Sequence, residues 1–182
     1  MSTAAVILAA GFSRRLGRPK QTLVLAGETL VERAARIATE ASLSPVFVVV
    51  NREAQFCDAL EQRGCFVVMN ELAQEVMASS IRRGVKAAET FLASGLVLMT
   101  CDQVELDADH LRRLVANPTQ ITASSYAGRK GIPAYFPASE FAALLLLHGD
   151  VGARDLLRPA QAILNESLAV DIDTEADAAK LA

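Results

Sequence analysis

Cysteine and histidine are scarce in this sequence of 182 residues. The cysteines are Cys57, Cys65 and Cys101, and the histidines are His110 and His148. None of the cysteines forms a C-x-x-C pair, and both histidines lie far along the chain from Cys57 and Cys65, which argues against a structural zinc site. An odd number of scattered cysteines is typical of a reducing compartment rather than of a disulfide framework.

Strong net charge and long apolar runs are also missing. The formal net charge is −3, from 18 Lys+Arg against 21 Asp+Glu, which argues against nucleic-acid binding as the main function. The first apolar run, residues 4–10, is too short to cross a bilayer, and no basic residue precedes it as a signal peptide requires. We therefore expect a cytoplasmic protein whose partners include neither nucleic acid nor membrane.

The composition is that of a packed globular protein, with 52% hydrophobic and 21% charged residues. The chain contains no internal repeat, low-complexity segment or linker that would divide it. Residues 1–182 are therefore expected to form a single domain.

Apolar segments alternate with amphipathic ones, which predicts an α/β fold. Residues 4–10 read as a buried strand, although a helix fragment would have the same composition, and Thr29 and Glu32 form a capping box at a helix start. Further strands are predicted over residues 46–50, 65–69, 96–100, 121–125, 133–136 and 169–172, and helices over residues 53–62, 77–92, 141–147 and from Thr174 onwards. This alternation predicts a three-layer α/β/α fold with a mostly parallel, Rossmann-like sheet, whereas residues 121–136 predict a small antiparallel element.

The segment after the first strand carries the strongest functional signal. It reads L-A-A-G-F-S-R-R-L-G-R-P-K over residues 8–20, at the sheet edge where open α/β sheets bind ligands. Gly11 and Gly17 allow tight bends with exposed N–H groups that attract anions. The segment also contains the cations Arg14, Arg15, Arg18 and Lys20. It matches neither a Walker A loop nor a dinucleotide-binding fingerprint. A triphosphate site is the functional interpretation, and a basic surface loop is the alternative.

Asp102 follows another predicted strand, residues 96–100. A carboxylate buried at that sheet edge needs a partner, and Mg²⁺ typically takes one or two carboxylates together with phosphate oxygens. The alternative role for Asp102 is to cap the next helix, for which Asp107 is better placed. We therefore expect Asp102 to face the loop that contains Lys20.

The pattern L-A-A-G-x-S-x-R-x-G-x-x-K resembles the signature loop of the nucleotidyltransferases that include molybdenum cofactor cytidylyltransferases and guanylyltransferases (the MobA-like NTP transferase domain). The resemblance implies a fold of the nucleotide-diphospho-sugar transferase type. The double alanine resembles the cytidylyl branch, since the guanylyl branch usually carries a second glycine there. The match implies that the nucleotide is contacted by Leu8, Ala9, Ala10 and Gly11, and that its phosphates are held by Arg15 and Lys20.

The resemblance continues along the chain. Asn70 and the run M-A-S-S-I at residues 77–81 are similar to the family's asparagine and G-M-x-S-S-[LI] motif, with Val76 in place of the glycine. This match implies that Asn70, Ser79 and Ser80 bind the nucleotide, while helix capping is the alternative role of the serines. Cys101-Asp102-Gln103 resembles C-D-Q-P, with Val104 in place of proline.

The second half of the chain resembles the part of the family that shapes the pocket for the second substrate. Residues 131–133 are similar to its G-x-P motif, and residues 149–154 to its G-D-x-G-A-R motif. Arg154 is expected to hold a phosphate, or alternatively to pair with Asp150 or Asp155. Residues 171–174 are similar to D-[IV]-[DN]-T, with Glu175 in place of the usual proline, which implies Asp173 as a second metal ligand or as part of a helix start.

These matches imply a Mg²⁺-dependent enzyme that transfers CMP from CTP to the phosphate of molybdopterin, releasing pyrophosphate. Because the attacking phosphate is already anionic, no general base is required, and catalysis rests on positioning and on charge neutralisation by Arg15, Lys20 and Asp102-bound Mg²⁺. Two alternatives stay open. The acceptor or nucleotide differs, as with GTP or a sugar phosphate, or the protein is a nucleotide-binding chaperone that delivers the cofactor to a molybdoenzyme.

Overall fold

The computed structural model describes residues 2–13, 16–72, 77–149, 152–172 and 174–179, with backbone alone at Glu175. Its strands are β1 (Thr3–Leu8), β2 (Val24–Leu25), β3 (Glu28–Thr29), β4 (Val46–Val50), β5 (Phe66–Met69), β6 (Gly95–Thr100), β7 (Thr122–Tyr126), β8 (Arg129–Pro137) and β9 (Gln161–Leu164). Its α-helices are α1 (Leu30–Glu40), α2 (Cys57–Gln62), α3 (Met77–Thr90), α4 (Ala108–Leu114), α5 (Phe141–Leu145), α6 (Arg154–Leu157) and α7 (Glu175–Ala178).

A sheet of seven strands runs through the molecule in the order β5-β4-β1-β6-β8-β7-β9. The pairs β1–β4, β1–β6, β4–β5 and β7–β9 are parallel, whereas β8 runs antiparallel to both β6 and β7. The short strands β2 and β3 form a separate hairpin. This topology confirms the predicted mostly parallel sheet with a small antiparallel element.

Alternation along β1 explains the three layers. Ala5 and Ile7 point into a core formed with α1, α2 and α4, whereas Ala4 and Val6 point into a second core formed with α3, α5 and α6. Both faces of the strand are therefore buried, as its continuous apolar sequence predicts. On the second face, α3 packs so closely that a Cβ atom at Gly84 would lie 2.2 Å from Cγ1 of Val6.

The start of α1 confirms the capping box. Thr29 Oγ1 accepts a hydrogen bond from the Glu32 amide (3.4 Å), and Glu32 Oε2 accepts one from the Thr29 amide (3.2 Å). These two bonds satisfy amides that the first helical turn cannot pair. The same carboxylate has a lowered pKa, chiefly because the Thr29 hydroxyl donates to it.

The predicted strand over residues 169–172 is wrong. Residues Glu166–Ala169 form a 3-10 helix, and a single isolated bridge joins Asp171 to Gln103. The Asn165 side chain accepts a hydrogen bond from the Ser167 amide, and such local bonds compete with strand pairing. The strand that pairs with β7 at the sheet edge is instead β9, which the sequence did not predict.

Within the described parts of the chain, no helix is both long and apolar enough to cross a membrane.

Candidate functional site

The order of the strands reverses beside β1. The chain proceeds from β1 to β4 and β5 on one side and then returns to β6 on the other. In open α/β sheets, ligands bind in the crevice outside the carboxyl ends of the strands at such a switch point. The loop after β1 and the segment that begins at Cys101 both lie at this edge, because Leu8 and Thr100 are the last paired residues of β1 and β6.

Lys20 and Asp102 meet at the switch point. The Lys20 Nζ atom lies 2.5 Å from Asp102 Oδ2, and the two side chains are only 20% and 12% exposed. The structure thus brings together the loop cation and the strand-end carboxylate that the sequence predicted to face each other. The neighbouring Cys101 is buried, which raises the pKa of its thiol to about 12. This burial favours the neutral thiol over the reactive thiolate.

Ser13 organises the loop between β1 and Lys20. Its hydroxyl oxygen accepts a hydrogen bond from the Lys20 amide (3.0 Å), and its carbonyl accepts from the amides of Leu16 (2.9 Å) and Gly17 (3.1 Å). Gly17 has a φ angle of 74°, in the left-handed region that favours glycine, which explains the residue at this bend. The serine of the sequence motif therefore fixes the backbone from which Lys20 extends.

Two amide side chains hold the carbonyl groups at the end of β1. Gln21 Nε2 donates to the carbonyls of Ala9 and Gly11, both at 2.8 Å, and Asn51 Nδ2 donates to that of Ala10 at 3.0 Å. Sequence reasoning missed both residues. The only signal for Gln21 is its position directly after Lys20, and Asn51 is marked only by following a buried strand.

The loop also contains three arginines and its first glycine, Gly11. Arg14 and Arg15 lie outside the described residues. Arg18 is exposed, and a Cβ atom at Gly11 would have no described atom within 4 Å. Since the φ angle of Gly11 is not in the left-handed region, the described protein atoms do not themselves require glycine there.

Asn70, Ser79 and Ser80 form a buried polar cluster. Asn70 Nδ2 contacts both serine Oγ atoms at 2.9 Å, and its Oδ1 accepts from the Leu72 amide at 3.1 Å. Both serines lie in the first turn of α3, and the Ser79 hydroxyl also donates to the Leu72 carbonyl (3.2 Å). The structure thus joins the three residues through bonds within the protein, and their contact with a nucleotide stays a prediction. Val76 lies outside the described residues.

The glycine-rich segment of the second half meets the start of α3. The Ala78 amide donates to the Gly149 carbonyl (3.4 Å), and a Cβ atom at Gly152 would lie 3.0 Å from the Met77 sulfur. The φ angles of Gly149 and Gly152 are 69° and 61°, which only glycine adopts readily. This segment is therefore held close to the Asn70 cluster.

Arg154 is exposed at the start of α6. Asp155, one of its two expected partners, pairs instead with Arg158 at 3.3 Å. The other, Asp150, lies outside the described residues. The binding of a phosphate by Arg154 stays a prediction.

The chain returns to Asp102 near its end. The Ile172 amide donates to the Asp102 carbonyl (3.3 Å). Asp173, the expected second metal ligand, lies outside the described residues. Among the described residues, no group of three or more His, Cys, Asp or Glu side chains could hold a metal ion. The capping role belongs to Asp107, whose carboxylate accepts from the His110 amide at 2.7 Å.

The family model described as "MobA-like NTP transferase domain" matches residues 5–166. The chain belongs to this family. It is therefore a nucleotidyltransferase that uses a nucleoside triphosphate, as the sequence predicted. The match covers the loop after β1, Asp102 and the segment around Arg154.

Two relatives are similar to this chain over much of its length. It is 34% identical to the purine catabolism protein PucB of Bacillus subtilis over 166 residues, which cover 86% of this chain and 80% of PucB. It is 33% identical to a probable molybdenum cofactor guanylyltransferase of Opitutus terrae over 106 residues, which cover 58% of this chain but only 50% of that relative.

Among solved structures, Rv0371c of Mycobacterium tuberculosis superposes with a TM-score of 0.80 at 28% identity, covering 100% of this chain and 98% of the other. A structure of Rv0371c in complex with manganese gives a TM-score of 0.77 at 26% identity, again over 100% and 98% of the chains.

Proposed function

We propose that this protein transfers CMP from CTP to the phosphate of molybdopterin or its molybdenum-containing form, with release of pyrophosphate and with Mg²⁺ as the metal. The observation that carries the proposal is the 2.5 Å contact between Lys20 Nζ and Asp102 Oδ2. It joins the signature loop after β1 to a carboxylate two residues after the end of β6, at the edge where this type of sheet binds ligands.

The described residues fit a Mg²⁺ ion better than an ion that demands a cage of protein ligands. Asp102 supplies one shielded carboxylate, and the described residues contain no larger ligand cluster. Mg²⁺ binds in this way, through one or two carboxylates together with phosphate oxygens and water. We propose that Asp102 holds the ion with Asp173 as the second ligand, and the manganese complex of Rv0371c supports a divalent metal. When bound, the ion would polarise the α-phosphate and offset its charge.

The chain's own residues supply position and charge. In the proposed reaction, a phosphate oxygen of the acceptor forms a bond to the α-phosphorus while the bond to the bridging oxygen of pyrophosphate breaks. Lys20 would neutralise the charge that develops on pyrophosphate, together with Arg15. Leu8, Ala9, Ala10 and Gly11 would contact the nucleotide, and the space around the Cβ position of Gly11 supports a close approach.

The buried cluster and the second half would complete the site. Asn70, Ser79 and Ser80 would bind the nucleotide, and the hydrogen bond from the neighbouring Ala78 amide to the Gly149 carbonyl supports a position of this cluster between the two substrates. Arg154, which is exposed and not paired with Asp155, is the proposed ligand of the acceptor phosphate.

The similar proteins bear more on the identity of the acceptor than on the nucleobase of the triphosphate. Similarity to a molybdenum cofactor guanylyltransferase supports a molybdopterin acceptor but favours GTP as a second candidate nucleotide. The double alanine at Ala9 and Ala10 favours CTP.

The decisive experiment measures pyrophosphate release by the purified protein with CTP, GTP, ATP or UTP, Mg²⁺ or Mn²⁺, and molybdopterin or a sugar phosphate. We expect release with CTP, Mg²⁺ and molybdopterin and none without metal. Release with GTP but not with CTP would show that GTP, and not CTP, is the nucleotide. Release with a sugar phosphate but not with molybdopterin would show that the acceptor is a sugar phosphate. Tight CTP binding without release on any acceptor would instead indicate a cofactor chaperone.

A further inference from the structure

We infer that Gln21 is a positioning residue that turns the backbone amides of the signature loop toward the phosphates, an inference that rests on the proposed nucleotide site. Its side-chain amide donates to two carbonyls of the loop, those of Ala9 and Gly11, both at 2.8 Å. Asn51 holds the carbonyl between them, that of Ala10, at 3.0 Å. Three consecutive carbonyls are thus held by two side chains from outside the loop's first turn.

The direction of these carbonyls fixes the direction of the N–H groups. The peptide bonds from Ala9 to Phe12 are trans, so each N–H points opposite to the carbonyl of its own peptide unit. The N–H groups of Ala10 and Phe12 therefore point away from Gln21, and that of Gly11 points away from Asn51. Within the described ranges these three N–H groups donate no backbone hydrogen bond. Successive unpaired amides of this kind form a binding site for anions.

Gln21 is buried, so its side-chain amide bonds to the loop and not to solvent. The residue is 3% exposed, and its Oε1 atom is buried without a hydrogen-bond partner among the described residues. An unpaired buried amide oxygen costs stability, and methionine would fill the same space without that cost. The structural gain that offsets the cost is the pair of bonds from Nε2 to the loop.

The position of Gln21 also links the amides to Lys20. Both residues lie in the 3-10 helix Lys20–Thr22, and Lys20 Nζ contacts Asp102. One short turn thus presents the loop cation and, through the neighbouring side chain, sets the orientation of the loop amides. Gln21 would therefore act on phosphate binding without touching the substrate itself.

The test compares nucleotides that differ only in phosphate number. Gln21→Met keeps the length of the side chain and removes its N–H donors, so we expect CTP affinity to fall at least about tenfold, while CMP affinity falls less and cytidine affinity is unchanged. Asn51→Leu, which releases one carbonyl rather than two, should change the same series in the same direction by a smaller factor. Titration calorimetry with CTP, CMP and cytidine, repeated with the guanine series, measures these ratios.

Ser124→Ala is the matched control. Ser124 is fully buried in β7 and donates to the Pro133 carbonyl in β8, so the variant loses a buried hydrogen bond in which no residue of the loop takes part. It should lower the melting temperature and leave the ratio of CTP to CMP affinity as in the wild type.

The outcomes separate the inference from the function on which it rests. If the wild type binds neither triphosphate more tightly than its monophosphate, the proposed nucleotide site is wrong and the inference falls with it. If the wild type shows that preference but Gln21→Met keeps it, or loses affinity for CTP, CMP and cytidine by one common factor, the function stands and the positioning role is overturned. Should Gln21→Met not fold, Asn51→Leu decides in the same way.

Discussion

At the scale of single residues, the site rests on a pair of opposite charges that shield each other. Lys20 and Asp102 are both largely buried, and a charge in such a place is costly unless it is paired. Ligand binding has to supply replacement partners, phosphate oxygens for the ammonium group and a cation for the carboxylate. A shielded pair of this kind is compatible with a nucleotide that arrives together with its metal.

Removing the loop cation should affect catalysis far more than folding. Lys20→Ala is expected to lower turnover about 10²- to 10³-fold, because one preorganised positive group facing the developing charge is lost. Pyrophosphate release at saturating CTP measures the effect, and circular dichroism checks the fold. Arg36→Ala removes a cation that pairs with Glu28 and Glu40 on the surface and should leave turnover unchanged. Turnover close to that of the wild type in Lys20→Ala would contradict the proposed role.

A buried histidine outside the site, His110, is expected to make the stability of the fold depend on pH. Ser124 donates its hydroxyl hydrogen to the Pro133 carbonyl, so the contact of 2.8 Å between His110 Nε2 and Ser124 Oγ requires the hydrogen on Nε2. The other ring nitrogen, Nδ1, then accepts from Asn165 Nδ2 at 3.5 Å. Burial, and next the charge of Arg113, lowers the pKa of His110, against the opposing effect of Asp107. The neutral ring therefore fits its surroundings and the protonated ring does not.

The pH dependence of stability follows from this arrangement. Because the pKa of His110 is lower in the folded than in the unfolded chain, the unfolded chain takes up the proton first as the pH falls. The stabilisation by the neutral ring is complete above the unfolded pKa of about 6.5 and is lost as the pH drops from there through the folded value. Urea unfolding at pH 7.5 and 5.5 should show a smaller loss in His110→Gln than in the wild type. The surface variant His148→Gln should keep the wild-type loss, and an equal loss in His110→Gln would refute the assignment.

At the scale of elements, the approach of α3 to β1 depends on one missing side chain. Gly84→Ala should destabilise the fold by up to about 2 kcal/mol, because overpacking against Val6 costs about 1–3 kcal/mol and alanine regains about 1 kcal/mol of helix propensity. Val6→Ala opens the space that the new methyl group needs. Denaturant titration of both single variants and the double variant should show that the double variant is more stable than the sum of the single effects implies. Strict additivity would mean that the two residues do not compete for this space.

The same scale shows what the sequence can predict. The capping box at Thr29 and Glu32 and the apolar strand beginning near residue 4 are local signals, and both are found where the residues place them. Strand β9 was missed because three of its four residues are exposed at a sheet edge, so it lacks the apolar pattern of a central strand. The strand predicted over residues 169–172 failed because side-chain bonds of Asn165 favour a 3-10 turn just before it.

Some residues of the candidate site could likewise be predicted from the sequence, and others could not. Asp102 and Lys20 could be predicted to meet, because both follow strands whose carboxyl ends share one sheet edge. Gln21 and Asn51 could not, since their partners are backbone carbonyls, which every residue has and no sequence pattern marks. The bonding of Asn70 to both Ser79 and Ser80 likewise depends on how α3 sits against the end of β5, which is a tertiary feature.

At the scale of the whole molecule, ligands should stabilise the fold, because the proposed site joins segments from β1, β6 and the chain near residue 172. A ligand at 100 times its Kd adds about 2.7 kcal/mol. For a chain of 182 residues this corresponds to a rise in melting temperature of about 5–10 °C. Thermal unfolding with CTP, with and without Mg²⁺, measures the shift. In Asp102→Asn the metal-dependent part of the shift should vanish, and its persistence would place the ion elsewhere.

The pairing of β1 with β6 has a practical consequence for redesign. Six successive rungs join the two strands in strict register, from Thr3 opposite Gly95 to Leu8 opposite Thr100. This pairing fixes the position at which the loop leaves β1 relative to the segment that carries Asp102. It involves no residue of 149–154, the segment proposed to bind the acceptor. Under the proposed function, a replacement of that segment would therefore leave the register between β1 and β6 unchanged.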